Sequence, residues 1–149
     1  VLDKYSKQSG VPVKFITHSV KGVGTDADVQ WLTQLRALRK DGRLNWYTSD
    51  EGAIAPEIRF MALAGGCLRN FIDGRIRTAH ELYAEYPDLD FTALFVPNFW
   101  VEGITEYTHT QMNRIYSTLM QRSADHRITV LYISDVEKFK AQQPWMGRF

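Results

Sequence analysis

The run "HRITVLYISD", residues 126–135, constrains this chain most, because Val130, Leu131, Tyr132 and Ile133 follow one another with no polar residue between them. A strand with one wet face alternates apolar and polar side chains. A continuous apolar run instead marks a strand buried on both faces, as in parallel sheets covered by helices. "DFTALFVP", 90–97, is a second such run, and two weaker ones stand at "RLNWYTS", 43–49, and "GRIRT", 74–78. "VPVKFITH", 11–18, with its β-branched and aromatic residues, also reads as a strand.

Helical spacing fills the intervals. Val29, Leu32, Leu35 and Leu38 recur along "DADVQWLTQLRALRK", which Thr25 or Asp26 can cap and Asp41-Gly42 ends. Pro56 suits the first turn of a helix through "EIRFMALAGGCLRNFI", with Phe60, Ala64, Cys67, Leu68 and Phe71 as its apolar stripe. Gly65-Gly66 inside it costs roughly 1 kcal/mol per glycine relative to alanine, which points to close packing or a break. "AHELYAEY" reads as a short helix. "TEYTHTQMNRIYSTLMQRS" reads as a long one with Met112, Ile115, Tyr116, Leu119 and Met120 on one side. Strand and helix alternate, so the expectation is a three-layer α/β fold: a mostly parallel sheet flanked by helices. Residues 1–10 are polar and expected to be loose, leaving 11–149 as one domain.

Bulk properties narrow the function classes. A net charge of +1 exerts no global pull on nucleic acid or anionic lipid, so any such binding rests on a local patch. Cys67 is the only cysteine, which excludes an internal disulfide and a multi-cysteine metal site and fits a reducing, cytoplasmic setting. No apolar run reaches the ~20 residues of a membrane span, so no membrane partner is expected. The chain opens without a methionine or a signal-peptide pattern, the form of a trimmed or excised segment.

From residue 43 onward the order is strand, tight loop, long helix, short strand–helix unit, apolar strand, long helix, apolar strand. That order resembles the core of the P-loop ATPases of the AAA+ type, and among them the bacterial helicase-loader and transposition-helper ATPases. Three local cues carry the likeness. "WYTSDEGAIAPEIRF" stands where such proteins keep a phosphate loop, with Ser49 and Gly52 in the loop but Ala55 and Pro56 where the resemblance implies a lysine and a hydroxyl. "TALFVPNFW" matches the strand that carries their metal-organising carboxylates, yet Pro97 and Asn98 stand at its expected end, and an amide holds no charge for Mg²⁺. Ser134 follows the last strand where a polar sensor sits, and Arg148 resembles an arginine offered to a neighbour's nucleotide. The resemblance therefore implies a degenerate nucleotide site. It implies a non-catalytic domain without a cofactor that binds a protein partner, a helicase or another ATPase subunit. The setting would be DNA replication or mobile-element biology, with single-stranded DNA and self-association as further possibilities.

Other chemistry has to be weighed beside this. "GVGT", 22–25, could cradle a phosphate but lacks the G-K-[ST] ending and reads as a plain loop. His18, His80, His109 and His126 show no metal-ligand spacing. Cys67 lies on an apolar stripe, as a structural thiol would. Asp50, Glu51 and Glu57 could hold the metal of a nuclease, or simply complement a helix dipole. Arg36, Arg39, Lys40 and Arg43 form one basic group and Arg69, Arg75 and Arg77 another, while Arg114, Arg122 and Arg127 mark the later helix and its exit. The first two groups are candidate phosphate contacts, with Trp46, Tyr47 and Phe71 near enough to stack on bases. Phe99 and Trp100 either anchor a protein partner, as in an inhibitory or structural module, or close the end of the sheet.

Overall fold

The computed structural model describes residues 1–17, 26–34, 45–48, 55–84 and 89–145, with the backbone alone described at 26, 27 and 45–48. The elements are α1 (Leu2–Ser9), α2 (Val13–Thr17), α3 (Asp26–Thr33), β1 (Asn45–Thr48), α4 (Pro56–Arg69), β2 (Gly74–Ile76), α5 (Ala79–Leu82), β3 (Ala93–Trp100), α6 (His109–Ala124), β4 (Ile128–Ile133) and α7 (Val136–Gln142). The four described strands form one sheet in the order β1–β4–β3–β2, every neighbouring pair parallel.

Alternation along β3 and β4 sorts their side chains onto two faces. Ala93 and Phe95, with Ile128, Val130 and Tyr132, meet Phe60, Leu63, Ala64 and Cys67 of α4, and Ile16, Trp31 and Leu32 join the same cluster. Leu94, Val96, Leu131 and Ile133 meet Leu82 of α5, Met112, Ile115 and Leu119 of α6, and Phe139 of α7. Helices thus cover both faces, and the layers are α/β/α. Every residue of β4 is buried, as its unbroken apolar run requires. Thr78 with Glu81, and Thr108 with Gln111, make reciprocal capping boxes at the short helix α5 and the long helix α6.

The glycine pair of α4 serves close packing. A methyl group on Gly65 would stand 2.0 Å from the carbonyl oxygen of Phe15, and one on Gly66 would stand 2.7 Å from Leu32 Cδ1. The backbone of α2 therefore lies directly against α4, and α3 packs one step further along.

Four expectations need correcting. "VPVKFITH" is not a strand over its described residues: α2 spans Val13–Thr17, and its backbone seats against Gly65 instead of joining the sheet, while His18 lies outside the described residues. Residues 1–10 are not loose, because α1 ends on the αL residue Gly10 and its last carbonyls, Gln8 and Ser9, accept from Arg77. Phe71 does not belong to the apolar stripe of α4: the helix stops at Arg69, and the ring is 97% exposed. Strand β3 does not end at Pro97 but runs on to Trp100 through a register shift between Val96 and Trp100. A proline has no N–H for the ladder, so the strand bulges around it.

Candidate functional site at the carboxyl edge of the sheet

In open parallel sheets, ligands sit beyond the carboxyl ends of the strands. Among the described residues that edge is formed by Thr48 of β1, Ile76 of β2, Trp100 of β3 and Ile133 of β4. Ser49 and Gly52, which follow β1, lie outside the described residues, as do Asp50 and Glu51. The start of α4 is described. Ala55 is its N-cap and gives no side-chain cap bond, and Pro56 takes the first helical position, where it supplies no N–H. The carbonyl of Ala55 accepts from the Arg59 N–H at 3.0 Å. Neither residue offers a phosphate a cation or a hydroxyl.

The ends of β3 and β4 are tied to each other. The Ser134 N–H donates to the carbonyl of Trp100 at 2.9 Å, and the Ser134 hydroxyl oxygen accepts from the Glu102 N–H at 2.8 Å. Asp135 caps α7 by accepting from the Lys138 N–H at 3.1 Å, and the Lys138 ammonium pairs with the Glu102 carboxylate. This pair, with a smaller contribution from Asp135, raises the Lys138 pKa above the ordinary lysine value. Because β3 extends to Trp100, the first carboxylate past its end is Glu102, and Lys138 neutralises it. Asn98 sits in the bulge, exposed to solvent. Ser134 is thus placed at the edge as the sequence suggests, but its side chain is spent on the loop after β3.

That loop is built on groups the sequence reading does not single out. The Thr105 hydroxyl oxygen accepts from the Val101 N–H at 3.0 Å, and the Tyr107 hydroxyl donates to the carbonyl of Phe99. Burial first, then neighbouring Tyr83, pushes the Tyr107 pKa well up, so the hydroxyl keeps its proton. Trp100, Glu102, Glu106, Tyr107, Lys138 and Gln142 line a cavity of about 390 Å³ beside the loop. Phe99 and Trp100 are not exposed anchors for a partner, although Trp100 forms part of the cavity wall. Both are buried, stacked around Phe139 with ring centroids 5.6 and 5.5 Å away, because the bulge turns both rings into the α6–α7 layer. They close the end of the sheet.

The second basic group is also structural where it is described. Arg69 donates to the carbonyls of Phe15 and Ile16 at 2.9 and 3.2 Å, fixing the end of α2. Arg75 pairs with Asp73 and lies 4.7 Å over the Phe91 ring. Arg77 holds the end of α1 and pairs with Glu81 at 3.5 Å. Arg36, Arg39, Lys40, Arg43 and Arg148 lie outside the described residues. Beside Arg59, which pairs with Asp28, Arg122 is a buried cation of the fold. Its guanidinium donates to the carbonyls of Leu89, Phe91, Thr92 and Ile128 and to the Thr129 hydroxyl, locking the amino ends of β3 and β4 together. Burial, and then Arg127, lowers its pKa to about 10 against the opposing pull of Asp90, so it stays charged at neutral pH.

Cys67 faces the core, and burial pushes its thiol up to about 12, with Arg69 pulling weakly the other way. A thiol held protonated is no nucleophile. Among the described residues no three His, Cys, Asp or Glu side chains gather as metal ligands, and Glu57 stands exposed in the first turn of α4. None of the described helices is long and apolar enough to cross a membrane. No protein family, curated protein or solved structure matches the chain.

Proposed function

We propose that this chain is a non-catalytic, P-loop-like α/β domain that works by binding. Its partner is a helicase or another ATPase subunit, in DNA replication or mobile-element biology. The observation that carries the reading is the state of the carboxyl edge. Glu102 is neutralised by Lys138, Ser134 is bonded to the loop after β3, and α4 opens on Ala55-Pro56. Such an edge keeps a scaffold and spends its polar groups on holding that scaffold together. The parallel β1–β4–β3–β2 order, with a helix after each strand, supports the P-loop-like part of the reading. Single-stranded DNA as a further ligand draws its support from the Arg36–Arg43 group, since Arg69, Arg75 and Arg77 are engaged within the fold.

The test is affinity capture from the source cell with and without nuclease treatment. The expected result is a helicase or ATPase subunit retained after nuclease, while the purified chain shows no ATP turnover with Mg²⁺. ATP hydrolysis that is lost on changing Gly52 or in Glu102→Gln would overturn the non-catalytic reading. Mg²⁺- or Mn²⁺-dependent cleavage of nucleic acid, lost in Asp50→Ala, would replace it with a nuclease.

A further inference from the structure

The loop after β3 is fixed along its length. Its Val101 and Glu102 N–H groups donate to the hydroxyls of Thr105 and Ser134. The Ile104 and Thr105 N–H groups donate to the carbonyl of Val101 at 3.0 and 2.8 Å, and the Tyr107 hydroxyl to that of Phe99. The cavity of about 390 Å³ beside this loop therefore has a preformed wall, and its volume falls within the roughly 300–1,000 Å³ of small-molecule pockets. It stands at the carboxyl end of β3, where an open parallel sheet takes its ligands.

The charged groups on its wall are two carboxylates and one ammonium, Glu102, Glu106 and Lys138. Lys138 pairs with Glu102, so Glu106 is the charge left over. Among the described residues none pairs with the Glu106 carboxylate or bonds to the side-chain amide of Gln142, which lines the same cavity. These two groups stand apart from the others at this edge, which are engaged in holding the loop. Trp100 and Tyr107 add aromatic surface to the wall. One uncompensated negative charge beside aromatic rings and an amide oxygen suits a single positive charge. A metal ion fits poorly. Among the described residues no third carboxylate, imidazole or thiol joins the pair, and the Lys138 ammonium opposes a divalent ion. A guanidinium fits well: its planar fork meets a carboxylate with two parallel N–H bonds, keeps further donors for an amide oxygen, and lies flat on an aromatic face.

We propose that the cavity between the loop after β3 and α7 binds a guanidinium carried on a short alkyl stem. Glu106 supplies the counter-charge, Gln142 Oε1 a further acceptor, and Tyr107 and Trp100 the wall against which the group and its stem lie. A free guanidino compound and an arginine side chain of another protein present the same chemistry here. The site stands whether or not the chain engages an ATPase, since none of these groups takes part in the phosphate-loop likeness.

The test is titration of the full isotope-labelled chain with butylguanidinium, N-acetylarginine amide and N-acetylcitrulline amide, read by backbone amide shifts. The two guanidinium probes should bind with Kd of about 0.1–1 mM, and the shifts should centre on residues 101–107 and 138–143. The citrulline probe, whose urea has the same shape without the charge, should not bind. Glu106→Gln should weaken guanidinium binding about tenfold or more. It should leave the melting temperature unchanged, because the carboxylate is exposed and has no partner among the described residues. Tighter binding of the arginine probe than of butylguanidinium would assign the site to a protein's arginine, and equal binding to a free guanidino compound. No binding up to about 10 mM, equal binding of the citrulline probe, shifts centred elsewhere, or a Glu106→Gln chain that binds like the parent would each overturn the proposal.

Discussion

Gly65 has no room for a methyl group, since its neighbour is a backbone carbonyl 2.0 Å from where the Cβ would stand. The backbone of α2 cannot retreat without leaving the core, so Gly65→Ala should cost about 3 kcal/mol in urea unfolding. Gly66→Ala meets the tip of a leucine at 2.7 Å, a group that can swing aside, and should cost about 1 kcal/mol. Equal penalties would mean that α2 is not the rigid neighbour. Next along the helix, Cys67 gives a pH signature. Its thiol titrates near 9.0 as a free group and near 12 when folded, so above pH 9 the unfolded chain loses a proton the folded chain keeps. Stability from this group is complete below pH 9 and is lost as the pH climbs toward 12, by about 1.4 kcal/mol per unit. Cys67→Ala removes the thiol, so the difference between the two proteins' stability–pH curves between pH 9 and 11 is the measurement. Two parallel curves would show that the thiol titrates alike in both states.

Between elements, one side chain does much of the joining. Arg122 reaches from α6 to four backbone carbonyls at the amino ends of β3 and β4. Arg122→Met would take the guanidinium donors from those acceptors, of which the Thr92 carbonyl keeps the Ile128 N–H, and should cost about 3 kcal/mol. Arg122→Lys should recover little of it, because one ammonium cannot span the carbonyls a planar guanidinium reaches. Loss of the α6 cap in Thr108→Ala is smaller, about 1 kcal/mol, since it frees only the Gln111 N–H and one reciprocal bond. A circular-dichroism melt ranks the three variants, and an Arg122→Lys protein as stable as the parent would show that the carbonyls find other donors. None of Arg122's role is visible in the sequence, where it is one more cation at a helix end. The strands and α6 are legible because burial writes its period into them directly. α2 is not. Its β-branched residues carry a strand signature, and only the contact with Gly65, about fifty residues away in sequence, decides otherwise. α1 escapes notice because it is short and mostly polar and is held by Arg77, which lies beyond β2 in the chain.

Over the whole molecule the charges are nearly balanced at +1, and the described arginines are spent on carbonyls and carboxylates of the same chain. This separates the edge of the sheet that the sequence locates from the chemistry it does not. Ser134 stands after the last strand as expected, but its bond to the Glu102 N–H comes from a strand end displaced by a bulge, which no local pattern reveals. The same balance decides how nucleic acid could bind. Phosphate contacts need cations that can leave their present partners cheaply. Arg69 and Arg77 cannot, because they hold α2 and α1 in place. Any single-stranded DNA binding should therefore fall in Arg36→Glu with Arg39→Glu and change little in Arg75→Gln. It should weaken steeply between about 50 and 200 mM salt, as counterion release requires. Arg69→Gln and Arg77→Gln should instead appear as lower melting temperatures. Fluorescence anisotropy with a labelled oligonucleotide, beside melts of the same variants, separates the two groups. DNA affinity that tracks Arg69 and Arg77 at unchanged stability would move the nucleic-acid surface to those two residues and away from the Arg36–Arg43 segment.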